Sequence, residues 1–399
     1  MKYLLTRLFR EFYESGKLSG IILIICTVLT LIAVNIGLAE PYNNFLHHYT
    51  DLSFSNIDLR LSNEHWINDG LMTVFFLMVG LEIERELYQG ELSSFKNAIL
   101  PVAAAIGGMI VPAGLHFALN AGSETQAGFG IPMATDIAFS LGVLALLGSR
   151  VPASIKIFLT ALAIIDDLGA IAVIAIFYTE DFSFLHFGVA MGIFGLLFIL
   201  GTLRVLSLWF YIIPGIVMWY FMLRSGVHAT ITGVLLAFAI PSTRVDDDSN
   251  PSYWLQHRLH QPVSYGVLPI FAIANTGLPI SIDAFRPLLS NNSLGILAGL
   301  ILGKPIGIIA ACYALVKMKL ASLPGDINFK IILGAGLLAG IGFTMSVFIA
   351  NLAFNDPAIV MSSKMAILIA STIAGLLGFF YLKTVLPPET SERPIVESE

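Results

Sequence analysis

Four ionisable residues lie where a lipid bilayer would leave them without water. Asp136 sits within Ile131-Pro-Met-Ala-Thr-Asp-Ile-Ala-Phe-Ser140, and Asp166 and Asp167 sit side by side within Ala161-Leu-Ala-Ile-Ile-Asp-Asp-Leu-Gly-Ala170. Lys304 stands between Gly303 and Pro305. Each occupies the middle of an apolar run: Phe129 to Gly148, Ile155 to Phe177, and Leu294 to Val316. Runs of about 20 such residues read as membrane-spanning helices. An ionised side chain at mid-depth costs between about 3 and about 17 kcal/mol. These four groups must therefore face one another or a water-filled cavity.

Lys304 needs a counter-charge, and Asp166 or Asp167 supplies it. Adjacent helical residues point about 100° apart, so one of the two meets Lys304 while the other faces Asp136 across a cavity. Ion pairing that only glues helices together would leave two of the three carboxylates without a cation. Carboxylate oxygens suit hard cations such as Na⁺, Mg²⁺ or Ca²⁺. Two carboxylates held close repel, so one keeps a proton until a cation replaces it. Competition between a cation and protons at one site is the minimum machinery of exchange.

The elements that hold these groups follow from composition. The chain has 399 residues, 56% of them hydrophobic and 12% charged, against about 25% charged in soluble domains. Its mean hydropathy is +0.83. The expected class is an all-α polytopic membrane protein, read as one integral membrane domain over 1–399. Twelve spans are expected, near 18–38, 69–89, 98–120, 128–148, 154–178, 184–203, 208–223, 226–241, 263–280, 294–316, 331–354 and 360–384. They leave an amino-terminal segment at 1–17 and a tail at 385–399. The first apolar run is too long for a signal-peptide core and is expected to remain as the first span.

Of the 21 Lys and Arg residues, sixteen fall on the amino-terminal side of the membrane. Arg60, Arg224, Arg286 and Lys364 fall on the other, and Lys304 lies within a span. The positive-inside rule then puts both termini in the cytoplasm. Cys26 and Cys312 lie in apolar runs and make neither a disulfide framework nor a metal-ligand spacing. No cofactor and no nucleic-acid partner is expected.

Two spans read as broken. Span 4 carries Pro132 ahead of Thr135 and Asp136, and span 11 carries Gly334, Gly336, Gly340 and Gly342. Glycine at that density weakens a helix; the competing reading is close packing through small residues. Spans 4 and 11 are the middle members of the trios 3–5 and 10–12. Interruptions at matching places in two halves point to an inverted repeat with its site at the break. The ends of broken helices expose partial charges, which Asp136 and Lys304 are placed to offset. The link between spans 1 and 2 alternates in period two over 52–62 around Ser55 and Asn56, the pattern of a short β-hairpin.

Longer strings carry a resemblance. Ala134 to Phe139, Leu144 to Pro152, Leu162 to Ala170, Ser225 to Thr230, Gly303 to Pro305 and Gly340 to Ser346 closely resemble the bacterial NhaA-type Na⁺/H⁺ antiporters. The likeness runs from about residue 8 to 384. It implies twelve helices, with spans 4 and 11 unwound and crossing at mid-membrane. It also implies electrogenic exchange of cytoplasmic Na⁺ or Li⁺ for external protons by alternating access, in a bacterial inner membrane. By motif match, Asp167 is the core cation ligand, and Asp166 is its neighbour and proton carrier, paired to Lys304. Asp136 and Thr135 line the crossing, with Gly340, Gly342 and Thr344 at the interrupted helix. Asp69 matches a position on the cation path, and the competing reading is a helix N-cap.

The same likeness implies a pH-sensing cluster of Glu82, Arg85, Glu86, His257 and His260, with His228 as a further candidate. Glu84 and Gln256 stand where the family's best-known member carries a lysine and a glutamate. The hairpin at 52–62 resembles the one that pairs protomers in this family, and an exposed hairpin edge can add to its own copy. A homodimer is therefore expected. Three other classes compete. A cation channel needs a filter loop that is not seen here. An intramembrane protease needs its two aspartates on separate helices, and adjacent Asp166 and Asp167 make a poor shared-proton dyad. A carrier of organic solutes needs more hydrogen-bonding groups near the aspartates.

Overall fold

The computed structural model describes residues 2–54, 58–179, 181–242, 250–280 and 286–387, with the backbone alone for 2–17, 91 and 149. Helix α1 (Lys2–Ala33) runs through a π-helical turn, kinked at Gly37 with φ of 113°, into α2 (Ala39–Leu46). The expected first span thus extends past its forecast end. A hairpin follows. Strand β1 (Tyr49–Asp51) pairs antiparallel with β2 (Arg60–Ser62), in the register Tyr49–Ser62, Thr50–Leu61 and Asp51–Arg60. The first strand lies just ahead of the alternating 52–62 stretch and the second ends with it, and its proposed centre, Ser55 and Asn56, lies outside the described residues.

Helix α3 (Asn63–Tyr88) starts at Ser62, whose hydroxyl accepts the His65 N–H, and contains a π-helical stretch at Trp66–Leu71. After α4 (Phe95–Asn120), a 3₁₀ segment (Glu124–Met133) gives way to extended backbone and then to α5 (Ile137–Ala145). The long α6 (Ala153–Phe177) and α7 (Phe184–Thr202) precede the shorter α8 (Trp209–Leu223) and α9 (Ile231–Ala239). The polar α10 (Pro251–Pro262) continues through a π-helical turn into α11 (Leu268–Asn275). The chain finishes with α12 (Asn291–Lys317), α13 (Phe329–Ala339), α14 (Phe343–Ala353) and α15 (Pro357–Val385).

Seven of these helices are long and apolar enough to cross a membrane, and nine spans result if each bent pair counts once. Glu124–Met133 meets α5 at 42°, and α13 meets α14 at 49°. The expected spans 7 and 8 correspond to helices of 15 and nine residues. The expected span 9 corresponds to a segmented helix whose first part is polar, so length and composition alone do not bring the count to twelve. Apolar side chains such as Ile110, Ile176, Leu185 and Phe380 are exposed on the outer faces, where a soluble protein would carry charge.

Helices α4 and α12 approach closely at two facing glycines. A Cβ at Gly107 would lie 2.3 Å from the Gly307 carbonyl oxygen, and one at Gly307 would lie 2.0 Å from that of Gly107. That contact seats Lys304 of α12 behind the break in the 3₁₀ segment. Phe76, Phe271 and Phe348 pack together in the centre, with ring centroids 5.4 and 6.4 Å apart along the chain of contacts.

Candidate cation and proton site

The site is built from two interrupted helices that satisfy each other's ends. Ala134 and Asp136 adopt extended backbone, so the helix restarts with Asp136 as its N-cap. Asp136 Oδ1 accepts the Phe139 N–H at 2.9 Å. Its Oδ2 accepts the Thr344 N–H at 3.1 Å and the Thr344 hydroxyl at 2.5 Å. One carboxylate therefore closes the amino-terminal ends of both α5 and α14, where backbone N–H groups concentrate positive partial charge.

The opposite ends are closed by other donors. The Lys304 ammonium donates to the Met133 carbonyl. The Thr135 hydroxyl lies 3.1 Å from the Ala339 carbonyl oxygen. Two serines cross over: Ser140 donates to the Leu338 carbonyl at 2.9 Å, and Ser346 donates to that of Ile131 at 2.7 Å. The Asp136 N–H reaches the Ile341 carbonyl at 2.7 Å. Gly340 is required for space rather than for backbone freedom, since its φ is −66° while a Cβ there would lie 2.4 Å from the Leu300 carbonyl oxygen. Ser140 and Ser346 were not assigned a role from sequence. Their only signal is a hydroxyl four residues past Asp136 or Gly342 in an otherwise apolar run.

Beside this crossing, α6 presents its two aspartates differently. Asp166 Oδ2 lies 2.8 Å from Lys304 Nζ, with both side chains fully buried. The same oxygen lies 2.7 Å from the Thr135 hydroxyl. Asp167 is 1% exposed, and neither of its carboxylate oxygens accepts a hydrogen bond from a described residue. A buried carboxylate in that condition is costly unless a proton or a cation joins it. Asp167 lines a cleft together with Asp136, Thr344, Glu82, His260 and Ser264. Its volume of about 50 Å³ is room for a few water molecules at roughly 10 to 15 Å³ each. The expectation that one α6 aspartate pairs with Lys304 while the other shares a cavity with Asp136 matches this geometry.

The proposed pH-sensing residues divide. Glu82 and His260 line the cleft, and Gln256 hydrogen-bonds to Glu82. Glu84 is buried between α3 and α10, where its Oε2 accepts the Ser252 hydroxyl at 2.8 Å. The two positions that depart from the family's best-known member are thus packed into one helix interface. Arg85 lies 3.4 Å from Glu86. His257 is exposed and stacks against Tyr253 with ring centroids 6.3 Å apart. Burial, then the neighbouring positive charges of His257 and Arg85, pushes the His260 imidazole down to about 4.

His228 stands apart from this group. Its Nε2 lies 3.0 Å from the Tyr178 carbonyl oxygen, at the carboxyl-terminal cap of α6. That cap is about 16 Å of helix beyond Asp167 at about 1.5 Å per residue. Asp69 does not take the N-cap position, which belongs to Ser62. It lies in the π-helical stretch of α3, about 20 Å of helix from Glu82 at the same rise, and outside the cleft lining.

Comparison with known proteins agrees with this arrangement. The family profile described as Na⁺/H⁺ antiporter 1 matches residues 10–382. The chain belongs to that family. It is 57% identical over 381 residues to the Na(+)/H(+) antiporter NhaA of Dechloromonas aromatica (strain RCB), covering 95% of this chain and 96% of that one. It is 54% identical over 382 residues to the Na(+)/H(+) antiporter NhaA of Flavobacterium psychrophilum, covering 96% and 97%. Against the Na(+)/H(+) antiporter NhaA of Vibrio parahaemolyticus the identity is 44% over 386 residues, covering 96% and 99%. As a member of the Na⁺/H⁺ antiporter 1 family the chain is a multi-pass membrane transporter that exchanges Na⁺ for H⁺ without a cofactor, and it is not an enzyme.

Proposed function

We propose that Asp167 is the exchange centre, binding Na⁺ or Li⁺ from the cytoplasmic cleft and protons from the outside by alternating access. The observation that carries this reading is a buried carboxylate without a donor among the described residues, facing a cleft and flanked by an already neutralised Asp166–Lys304 pair. A Na⁺ ion entering the cleft meets Asp167 directly, with the Thr135 hydroxyl and Asp166 one contact behind it. Asp166 becomes available only when the Lys304 contact loosens, so protonation of the pair and release of the ion are linked. Asp136 remains the anion that balances two helix ends. Asp69 serves the path towards the outer face.

In this reading the chain makes twelve spans with both termini in the cytoplasm of a bacterial inner membrane. The two bent pairs are the centres of inverted repeats over spans 3–5 and 10–12. The cluster of Glu82, Arg85, Glu86 and His257 regulates entry with pH, with His260 packed beside it as a neutral imidazole, and exchange moves net charge. The hairpin joins two copies: Leu52 and Phe54 beside it are exposed, leaving an edge suited to β-addition.

Na⁺-dependent and Li⁺-dependent proton flux in proteoliposomes tests the assignment. Asp167→Asn is expected to abolish both, with the protein still folded and inserted. Near-normal flux in that variant would sink the role given to Asp167.

A further inference from the structure

A second polar cluster lies at the end of the molecule away from the cleft, and the exchange site does not use it. Its centre is Asn275, the last residue of α11, which is 2% exposed. Asn275 Nδ2 donates to Asn68 Oδ1 at 3.0 Å and to the Phe271 carbonyl at 3.0 Å. Its Oδ1 accepts from Asn351 Nδ2 at 2.7 Å and from Lys364 Nζ at 3.1 Å. An amide has two donor hydrogens and two acceptor lone pairs, so this side chain is saturated. A flipped amide would set its NH₂ against the Lys364 ammonium and the Asn351 NH₂, so the orientation is determined.

The four side chains come from four helices: α3, α11, α14 and α15. All lie near the helix ends opposite the cleft. From Asn68 to Glu82 is about 21 Å of helix, and from Asn275 back to Ser264 about 16 Å, at about 1.5 Å per residue. Between cluster and cleft stand Phe76, Phe271 and Phe348, all buried. Asn68 and Asn275 belong to helices outside the two broken-helix trios, whereas Asn351 and Lys364 belong to the second trio.

We propose that Asn275, completed by Lys364, is a latch that holds shut the route from Asp167 to the face opposite the cleft. The proposal rests on the alternating-access reading above. The latch joins the helices that carry the crossing to those that frame it. Opening the outer side separates Asn351 and Lys364 from Asn275 and Asn68. The lysine makes the bond charge-assisted, and so stronger than an amide pair alone. It also sets a positive charge against any cation approaching the closed face. Asn275 and Lys364 are positioning residues: they touch neither Asp166 nor Asp167.

The test uses full-length protein with Cys26 and Cys312 replaced by serine and one reporter, Met72→Cys. Met72 is fully buried, one turn beyond Asn68. A charged, membrane-impermeant maleimide is added outside right-side-out vesicles. Asn275→Ala and Lys364→Gln are expected to speed labelling at least about tenfold, the shift that loss of one charge-assisted hydrogen bond produces, while Lys364→Arg labels near the parental rate. The apparent KM for Na⁺ entering from the cleft should rise in the first two variants, because fewer molecules are open to the cleft. A merely structural defect would lower kcat alone. Unchanged labelling in folded Asn275→Ala and Lys364→Gln, or no recovery in Lys364→Arg, overturns the latch. Labelling of the parental reporter that never responds to Na⁺ or pH, with the variants still faster, would instead defeat alternating access and reduce the latch to a static closure of that face.

Discussion

Asp166 and Asp167 are neighbours in sequence and opposites in chemistry. Asp166 has an ammonium at 2.8 Å and a hydroxyl at 2.7 Å on the same oxygen, whereas Asp167 has no described donor. The helical rotation of one residue is enough to separate a paired charge from an available one. Lys304 then has a structural consequence that can be measured. Removing one partner of a buried ion pair costs about 3 to 5 kcal/mol, because the other charge is left stranded. Lys304→Ala is expected to lower the thermal midpoint in detergent by several degrees, and Asp166→Asn in the same chain to recover part of it. A parental midpoint in Lys304→Ala would show that the pair contributes nothing to stability. Asp136 has a different task, since both of its oxygens accept from the amino-terminal ends of α5 and α14, at Phe139 and Thr344. Asp136→Asn keeps the shape but removes the charge at two helix ends and turns one accepting oxygen into an NH₂ donor. Its exchange rate should fall without vanishing, in contrast to Asp167→Asn, when both are assayed for Na⁺-driven proton flux.

Between residue and fold lies the crossing of the two bent pairs. Each break exposes carbonyl and amide groups that must be satisfied when no water can reach them. Here the partner helix supplies the donors, through Ser140, Ser346 and the Asp136 N–H. The crossing is therefore one cooperative unit, and its members should not be replaceable independently. Ser140→Ala and Ser346→Ala should each cost about 1 kcal/mol, the usual net worth of one hydrogen bond. The double variant is expected to cost more than the sum, as read from thermal unfolding monitored by size-exclusion chromatography; strict additivity would argue that the two halves are held separately. Gly340→Val is more severe. Its Cβ would meet the Leu300 carbonyl oxygen at 2.4 Å, so α12 and the break between α13 and α14 could not close on each other, and the variant should not be recovered as folded protein.

At the scale of the whole molecule, the cleft end carries the ionisable groups that regulation would need. His260 is held neutral there. With its imidazole pushed down to about 4, it is uncharged from about pH 6 upwards and does not change charge over the range where a free histidine would. His260→Gln should therefore leave the pH midpoint of exchange where it is in a flux scan from acid to alkaline pH. A shift of a full pH unit would show that His260 titrates in the working protein. Quaternary structure belongs to the same scale. Shortening the hairpin between Asp51 and Arg60 to a tight turn should convert a dimer into a monomer in lipid nanodiscs, as read by native mass. An unchanged dimer mass would move the interface elsewhere.

Membrane insertion, the burial of the four charges and the positions of the two interruptions were all legible in the amino-acid sequence. They are one-dimensional properties: the length of an apolar run, a charge at its centre, a proline or a cluster of glycines. The Asp–Lys pairing was legible as a requirement, because a buried ammonium needs a counter-ion, but residue chemistry left the choice between Asp166 and Asp167 open and only the family resemblance named Asp166. Only the packing of α4 on α12 through Gly107 and Gly307 places Lys304 beside Asp166, and that depends on a long-range approach no local pattern encodes. The crossed serines, the burial of Glu84 against Ser252, the separation of His228 from the cleft and the saturated Asn275 were likewise decided by tertiary structure. In each case the residue type stated what bond it could make, and the fold alone chose the partner.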